Sequence, residues 1–301
     1  MHPARSIILF TVLNGLGFGL LLFLGLGIPA VTGWVAFVFF AIAYILGVGG
    51  LLASLFHLGH PERFLKALTQ WRSSWLSREG LLAIATLAVM AVYGAGLVFL
   101  DTRWVILGWI GAGLAAGTVY ATSMIYAQMR SVPRWHHWST SALFLMHALA
   151  GGALLAGQVQ VAGIALLALG AIQFWVWIDG DGRFARAGST LATATGLGGP
   201  GAKLRLLEPP HTGRNYLLTE MVHEVGRKHA VKLRIIALAA ASVVPALLLL
   251  LLPVGHGLAL LVVVLHLVGA LAARWLFFAE AEHVVGLYYG KHAPESFRNL
   301  A

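Results

Sequence analysis

Eight runs of about 20 apolar residues occupy most of this chain, at 6–27, 34–56, 79–100, 104–127, 139–157, 160–178, 234–253 and 256–279. A helix of about 20 residues is what crosses the ~30 Å hydrocarbon core of a bilayer. Inside that core every backbone N–H and C=O must find its partner within the chain, so a run of this length is helical. The expectation is an all-α integral membrane protein with eight transmembrane helices, forming a single polytopic domain over 1–301. Composition agrees: 59% of the residues are hydrophobic and 10% are charged, against roughly 25% charged in a soluble domain. The first run has no small-residue cleavage site followed by polar sequence, and reads as a retained span rather than a signal peptide.

The formal charge of +9 would be a nucleic-acid footprint if it were spread over one soluble surface. Its distribution says otherwise, and no nucleic acid is expected as a partner. Eight spans put the N-terminus, alternate loops and the C-terminus on one side. That side carries Arg5, the Arg63–Lys66–Arg72–Arg78 set, Arg130, Arg134, the basic residues of 183–234, Lys291 and Arg298. The opposite side has Arg103. Lys/Arg-rich short loops stay in the cytoplasm, so both termini are expected there, in a multi-pass protein of a bacterial or archaeal cytoplasmic (inner) membrane.

The chain has no cysteine. Iron–sulfur clusters are held by cysteine thiolates, and disulfides and Cys-rich zinc sites need the same residue. No Fe–S cluster, molybdenum centre or other metal site is expected in this chain. Electron transfer would require a quinone, a haem or a cofactor-bearing partner.

The polar stretch 57–79, HLGHPERFLKALTQWRSSWLSRE, is where chemistry is expected. It places His57, His60, Glu62, Arg63, Arg72, Arg78 and Glu79 at one membrane surface, as a cytoplasmic loop between two spans. Pro61 stops the preceding helix, residues 62–71 suit a short interfacial helix, and Ser77 suits the cap of the next, with Glu79 in its first turn. Oxidising or reducing a quinone needs proton acceptors or donors beside it. Histidine titrates near pH 6.5, and a partly buried glutamate suits the same task. His57, His60 and Glu79 therefore form a candidate quinone site, the plainer reading being helix-end anchoring. The 179–233 segment is long, basic and irregular in its first half, with a helix expected over 216–234. It suits docking of a partner or of anionic lipid.

Other features carry less. His223-Glu224 begins like the zinc-protease HExxH, but Arg227 stands where the second ligand belongs, so that reading fails. Asn14, among the glycines of the first run, suits an interhelical hydrogen bond. His147 and His266 lie deep in apolar runs and are a formal pair of haem ligands, but a haem b is disfavoured against ordinary interhelical hydrogen bonding. Arg274 within the last run needs a partner, with Glu79, Glu280 or Glu282 as candidates. A secondary transporter remains a reading of another class, though one with few ionisable groups at the midplane to support it.

The residues Ser54-Leu-Phe-His-Leu-Gly-His-Pro61, Arg63, Ala67-Leu68 and Trp71-x-Ser-Ser-Trp-Leu-Ser-Arg-Glu79, with Val132-Pro133-Arg134-Trp135 after Tyr126 and the Arg274-containing last span, resemble the DmsC-type membrane anchor of complex iron–sulfur molybdoenzymes. The resemblance covers nearly the whole chain and is most specific at 57–79. It implies a three-part enzyme, in which a molybdopterin catalytic subunit and a four-cluster iron–sulfur subunit are the partners. The anchor exchanges electrons with menaquinone or ubiquinone in the lipid bilayer. In the family the histidine of H-L-G is linked to menaquinol, which maps onto His57. The resemblance also carries over Glu79, Tyr126 and Arg274; His57 and Glu79 are the candidate catalytic pair, and His57, His60, Arg72, Tyr126 and Arg274 the candidate quinone contacts. The long basic loop between the sixth and seventh runs resembles the anchors of sulfite-oxidising relatives, in which electrons enter quinone. The alternative is a DMSO or sulfur-compound reductase anchor that oxidises menaquinol.

Overall fold

A computed structural model describes residues 2–56, 60–198, 204–208, 213, 215–221 and 229–289. Among them are eight helices long and apolar enough to cross a membrane. They are α1 (Arg5–Leu26), α2 (Gly33–Leu55), α3 (Trp75–Phe99), α4 (Val105–Ala127), α5 (Trp138–Leu155), α6 (Val159–Arg186), α7 (Ala230–Leu251) and α8 (His256–Ala279). Among the described residues there is no strand. The expected all-α fold of eight spans is the observed one.

Three spans run further than hydropathy alone implies, α3 by starting at Trp75, and α6 and α7 because a charge inside the helix is neutralised. Helix α6 continues past residue 178 to Arg186 because its charges pair along the helix: the Arg183 Nε donates to Asp179 at 2.6 Å, and Arg186 reaches the same carboxylate at 2.5 Å. Helix α7 begins at Ala230, ahead of Arg234, whose Nε donates to Glu280 at 2.6 Å and whose Nη1 donates to Asp181 at 2.8 Å. Arg134, Asp181, Arg234 and Glu280 form one ion-pair network. It fastens the 128–137 loop and the ends of α6, α7 and α8 on the face that carries the termini. On the opposite face Arg103 donates to the Leu26 carbonyl at 2.6 Å.

Helix α1 is the hub, packing against α2, α4, α5 and α8. Its Phe18, Leu20 and Leu21 are fully buried. Between lipid-solvated helices there is no hydrophobic drive to associate, so close backbone approach has to supply the contact. Glycine permits it: a methyl group on Gly19 would overlap the Ala148 carbonyl of α5, and one on Gly25 would overlap the Gly108 carbonyl of α4.

Helix α7 contains a π turn, Ala239–Val243, ahead of Pro245. Proline has no N–H for the carbonyl four residues earlier, here Ala241. That carbonyl instead accepts from His266 Nδ1 of α8 at 2.6 Å, and Gly269 lets the α8 backbone lie against the turn. His266 is thus the interhelical hydrogen bonder expected of a buried histidine.

The segment after α2 differs from the single interfacial helix expected over 62–71. It is three short helical turns, Pro61–Arg63, Phe64–Ala67 and Leu68–Gln70, bent so that the Leu68 side chain packs onto Gly80 of α3. Arg78 closes the end of this segment, with Nε donating to the Trp71 carbonyl at 2.8 Å and Nη2 to that of Arg72 at 2.7 Å. Consequently α3 starts at Trp75 with Ser74 at its cap position. Ser77 lies inside the helix, fully buried, and does not cap it. The helix expected over 216–234 is described only as a π turn at Leu217–Met221 and then from Ala230 onward as α7.

Candidate functional site

The interface of α3 and α4 carries a polar ladder. On α4 Thr118, Thr122 and Tyr126 recur every four residues, and on α3 Glu79 and Thr86 face them. Thr86 and Thr118 hydroxyls meet at 3.0 Å, and Thr122 Oγ1 donates to Glu79 Oε1 in a short hydrogen bond. Asn14 of α1 donates from Nδ2 to Thr122 Oγ1 at 3.3 Å, the interhelical bond expected of it. Glu79, Thr122 and Asn14 are all buried.

This geometry serves both protonation states of Glu79. Thr122 Oγ1 also lies 3.0 Å from the Thr118 carbonyl. With Glu79 ionised, the Thr122 proton points at the carboxylate. With Glu79 protonated, Glu79 donates to Thr122 and the Thr122 proton turns to the Thr118 carbonyl. Either protonation state of Glu79 can therefore be hydrogen-bonded by rotating one hydroxyl, without repacking either helix.

Tyr126, one turn beyond Thr122, lies within electrostatic reach of both Glu79 and Arg274. Its ring is caged by Trp135, Phe144, Phe277 and Phe278, with centroids 5.3–5.6 Å away. Trp135 stacks on Phe277 at 5.1 Å and donates from Nε1 to the Phe277 carbonyl at 3.0 Å. Arg274, almost fully buried, sets its guanidinium 3.6 Å from the centroid of the Phe144 ring. An aromatic face is a good partner for a desolvated cation.

Arg274 does not form the ion pairs expected of it with Glu79 or Glu280. Glu79 is engaged by Thr122, and Glu280 is taken by Arg234 and Arg134. Nη1 of Arg274 and Nε2 of His147 have no hydrogen-bond partner among the described residues. Both residues line a small cavity with His266, Thr11 and Gly15. Its volume, about 10 Å³, is that of one water molecule. The His147 and His266 rings stand 6.5 Å apart across this region.

The remaining expected contacts lie elsewhere. His60 is exposed, and its Nδ1 is 3.0 Å from Glu62. Arg72 is exposed, with its guanidinium 5.2 Å from the Trp71 ring centroid. Of the set named from sequence, Glu79, Tyr126 and Arg274 are brought together in the interior, while His60 and Arg72 stay at the surface. His57 and residues 223–227 lie outside the described residues. Among the described residues no group of His, Asp and Glu is placed to hold a metal ion. Sequence reading missed Thr122, the hydrogen-bond partner of Glu79. The signal was present in the four-residue spacing of Thr118, Thr122 and Tyr126, which puts them on one face of α4.

The family model described as "DMSO reductase anchor subunit (DmsC)" matches residues 1–290. The chain is also 30% identical over 324 aligned positions to the C subunit of the sulfite dehydrogenase of Allochromatium vinosum, an alignment that covers 96% of this chain and 99% of that protein. No solved structure matches the chain. On this match and the eight-span architecture, the chain belongs to the DMSO reductase anchor subunit (DmsC) family.

Proposed function

We propose that this multi-pass membrane anchor of a molybdoenzyme complex exchanges electrons between a docked iron–sulfur subunit and the quinone pool, with the quinone ring held beside Glu79, Tyr126 and Arg274. A quinone supplies two-electron chemistry coupled to two protons. The chain's own residues supply the rest. Glu79 gives or takes a proton at its carboxyl oxygen, with Thr122 matching either state. Arg274 offers an unpaired Nη1 donor and a positive charge in a low-dielectric interior, where such a charge acts strongly on a developing anion. Tyr126 has a phenol within reach of both. The Glu79–Thr122 pair is the observation that carries the proposal, because proton exchange at a buried carboxyl needs a partner competent in both states. His57, of the H-L-G motif, is proposed as the second proton-handling group.

The catalytic partner is proposed to be a molybdopterin subunit, linked through a four-cluster iron–sulfur subunit seated on the 57–79 loop at the face of the termini. Of the basic 179–233 segment, the part beyond the end of α6, 187–233, belongs to that docking surface. The positive-inside distribution of Lys and Arg supports a cytoplasmic orientation for it, in a bacterial inner membrane. The name of the Allochromatium relative favours sulfite oxidation, with electrons flowing into quinone. The test is isolation from mildly solubilised membranes with metal analysis, followed by labelling with a photoreactive quinone analogue. Co-purifying molybdenum, iron and two larger subunits, with the label near Glu79 and Tyr126, is the expected result. A chain that emerges alone and unlabelled would overturn the proposal.

A further inference from the structure

A second site lies where the 128–137 loop meets the end of α6. Arg130, His136, His137, Asp179, Arg183 and Arg186 line a cleft of about 330 Å³, within the size range of small-ligand sites. Three guanidiniums face a single carboxylate there, so the cleft is cationic by composition. Arg183 frames it: 6% exposed, it donates from Nε to Asp179 at 2.6 Å, from Nη1 to the Arg134 carbonyl at 2.9 Å, and from Nη2 to His137 Nδ1 and Ser139 Oγ, both at 3.0 Å. His137 Nδ1 accepts this bond and one from the Ser139 N–H at 3.3 Å, so the imidazole carries its proton on Nε2 and acts as a neutral donor. Arg186 is more than half exposed and donates only from Nη2, to the Asp179 carboxylate at 2.5 Å and carbonyl at 2.8 Å, so its Nε and Nη1 face outward uncommitted among the described residues. Arg130 is exposed and has no carboxylate partner among the described residues. Arg130 and the two uncommitted nitrogens of Arg186 are the donors left for a ligand.

What borders the cleft identifies the ligand class. Trp138 and Trp175 stack at 5.5 Å, and the His137 ring touches both, at 5.3 and 6.0 Å. Along α6, Phe174, Trp175 and Ile178 are exposed, continuing the apolar strip from Trp138 into the span. A cationic cleft at the end of two spans, opening onto an indole pair at headgroup level and then onto apolar surface, has the polarity profile of one phospholipid. A protein carboxylate or a free anion would use the cleft and leave the strip without a role. We propose that the cleft binds the phosphate of an anionic phospholipid through Arg130, Arg186 and His137, with its acyl chains along Trp138, Trp175 and Ile178. Arg forks match phosphate oxygens two at a time, and a basic pocket between spans suits an anionic headgroup.

The experiment uses the intact complex, purified in mild detergent and reconstituted with phosphatidylglycerol or phosphatidylcholine, and retained lipid is measured by mass spectrometry. Phosphatidylglycerol should be retained selectively, falling roughly fivefold for each of Arg130→Ala and Arg186→Ala. Arg130 stands outside the ion-pair network, so Arg130→Ala should keep the thermal stability of the parent. Trp138→Ser should lower retention as well, and millimolar inorganic phosphate should not displace the lipid. Equal retention by the double arginine variant, or no preference over phosphatidylcholine, would overturn the proposal. Displacement by inorganic phosphate would make this a free-anion site. A photo-crosslinker at position 136 that captures a partner subunit and no lipid would make it a protein contact, and either result also overturns it.

Discussion

Thr122 and Glu79 share one short hydrogen bond between α4 and α3, and the Thr118 carbonyl gives the Thr122 hydroxyl a second place to point. Replacing Thr122 by valine keeps the shape and removes the hydroxyl, which leaves Glu79 buried without its partner. Quinone-linked turnover of the complex should fall about tenfold, the effect of losing one hydrogen bond to a charged group. Dye-linked turnover of the catalytic subunit should be unchanged. Thr122→Ser should restore most of the loss, an outcome that separates the hydrogen bond from packing.

Phe144 holds the Arg274 guanidinium against its ring face at 3.6 Å. Phe144→Leu keeps an apolar side chain and removes the π face, and should lower stability by about 1–2 kcal/mol. Denaturation of the reconstituted protein measures it. Arg274→Met should cost less stability than Arg274→Ala, since it fills the volume without a buried charge.

Gly19 is where α1 meets α5. Gly19→Val has no room beside the Ala148 carbonyl, and the helices must part, at a cost of roughly 1–3 kcal/mol. Gly15, whose Cβ position is open, is the control: Gly15→Ala should leave the melting temperature of the detergent-solubilised protein within a degree or two of the parent, roughly.

Burial, and then the neighbouring Arg183 charge, hold His137 below its usual pKa, against the opposing pull of Asp179. The unfolded chain therefore binds more protons than the folded one as the pH falls below about 6.5. Stability contributed by neutral His137 is fully present above that pH and is lost as the pH drops towards the folded-state value. The melting temperature should fall between pH 7.5 and 5.5, and His137→Gln should reduce that fall. An equal fall in the variant would exclude His137 as a contributor.

The spans were legible because a bilayer imposes a length and a composition that no other environment does, and each observed helix overlaps its expected run. Departures came where a charge sits inside a helix and is neutralised by a residue far away in sequence, as Arg234 is by Glu280 and Asp181. Hydropathy counts the charge and cannot see the partner. Helix α3 likewise starts at Trp75, behind Ser74 rather than Ser77, because Arg78 and Leu68 fix its entry. In the site, Glu79 and Arg274 stand out in the sequence as ionisable groups at or within apolar runs and Tyr126 by motif resemblance, and the structure gathers them. Their true partners, Thr122 and Phe144, are ordinary residues whose roles exist only once α3, α4, α5 and α8 are packed.

Glu79→Gln asks directly whether the buried carboxyl exchanges the quinone protons. Glutamine preserves the volume and can still bond to Thr122, but it cannot release or accept the proton. In the purified complex, quinone-linked turnover should fall at least about 100-fold, the scale of losing a general acid–base group. Assembly, metal content and dye-linked activity of the catalytic subunit should match the parent. Quinone-linked turnover that stays at the parent level in this variant would contradict the assignment of Glu79 as the proton-exchanging residue of the quinone site.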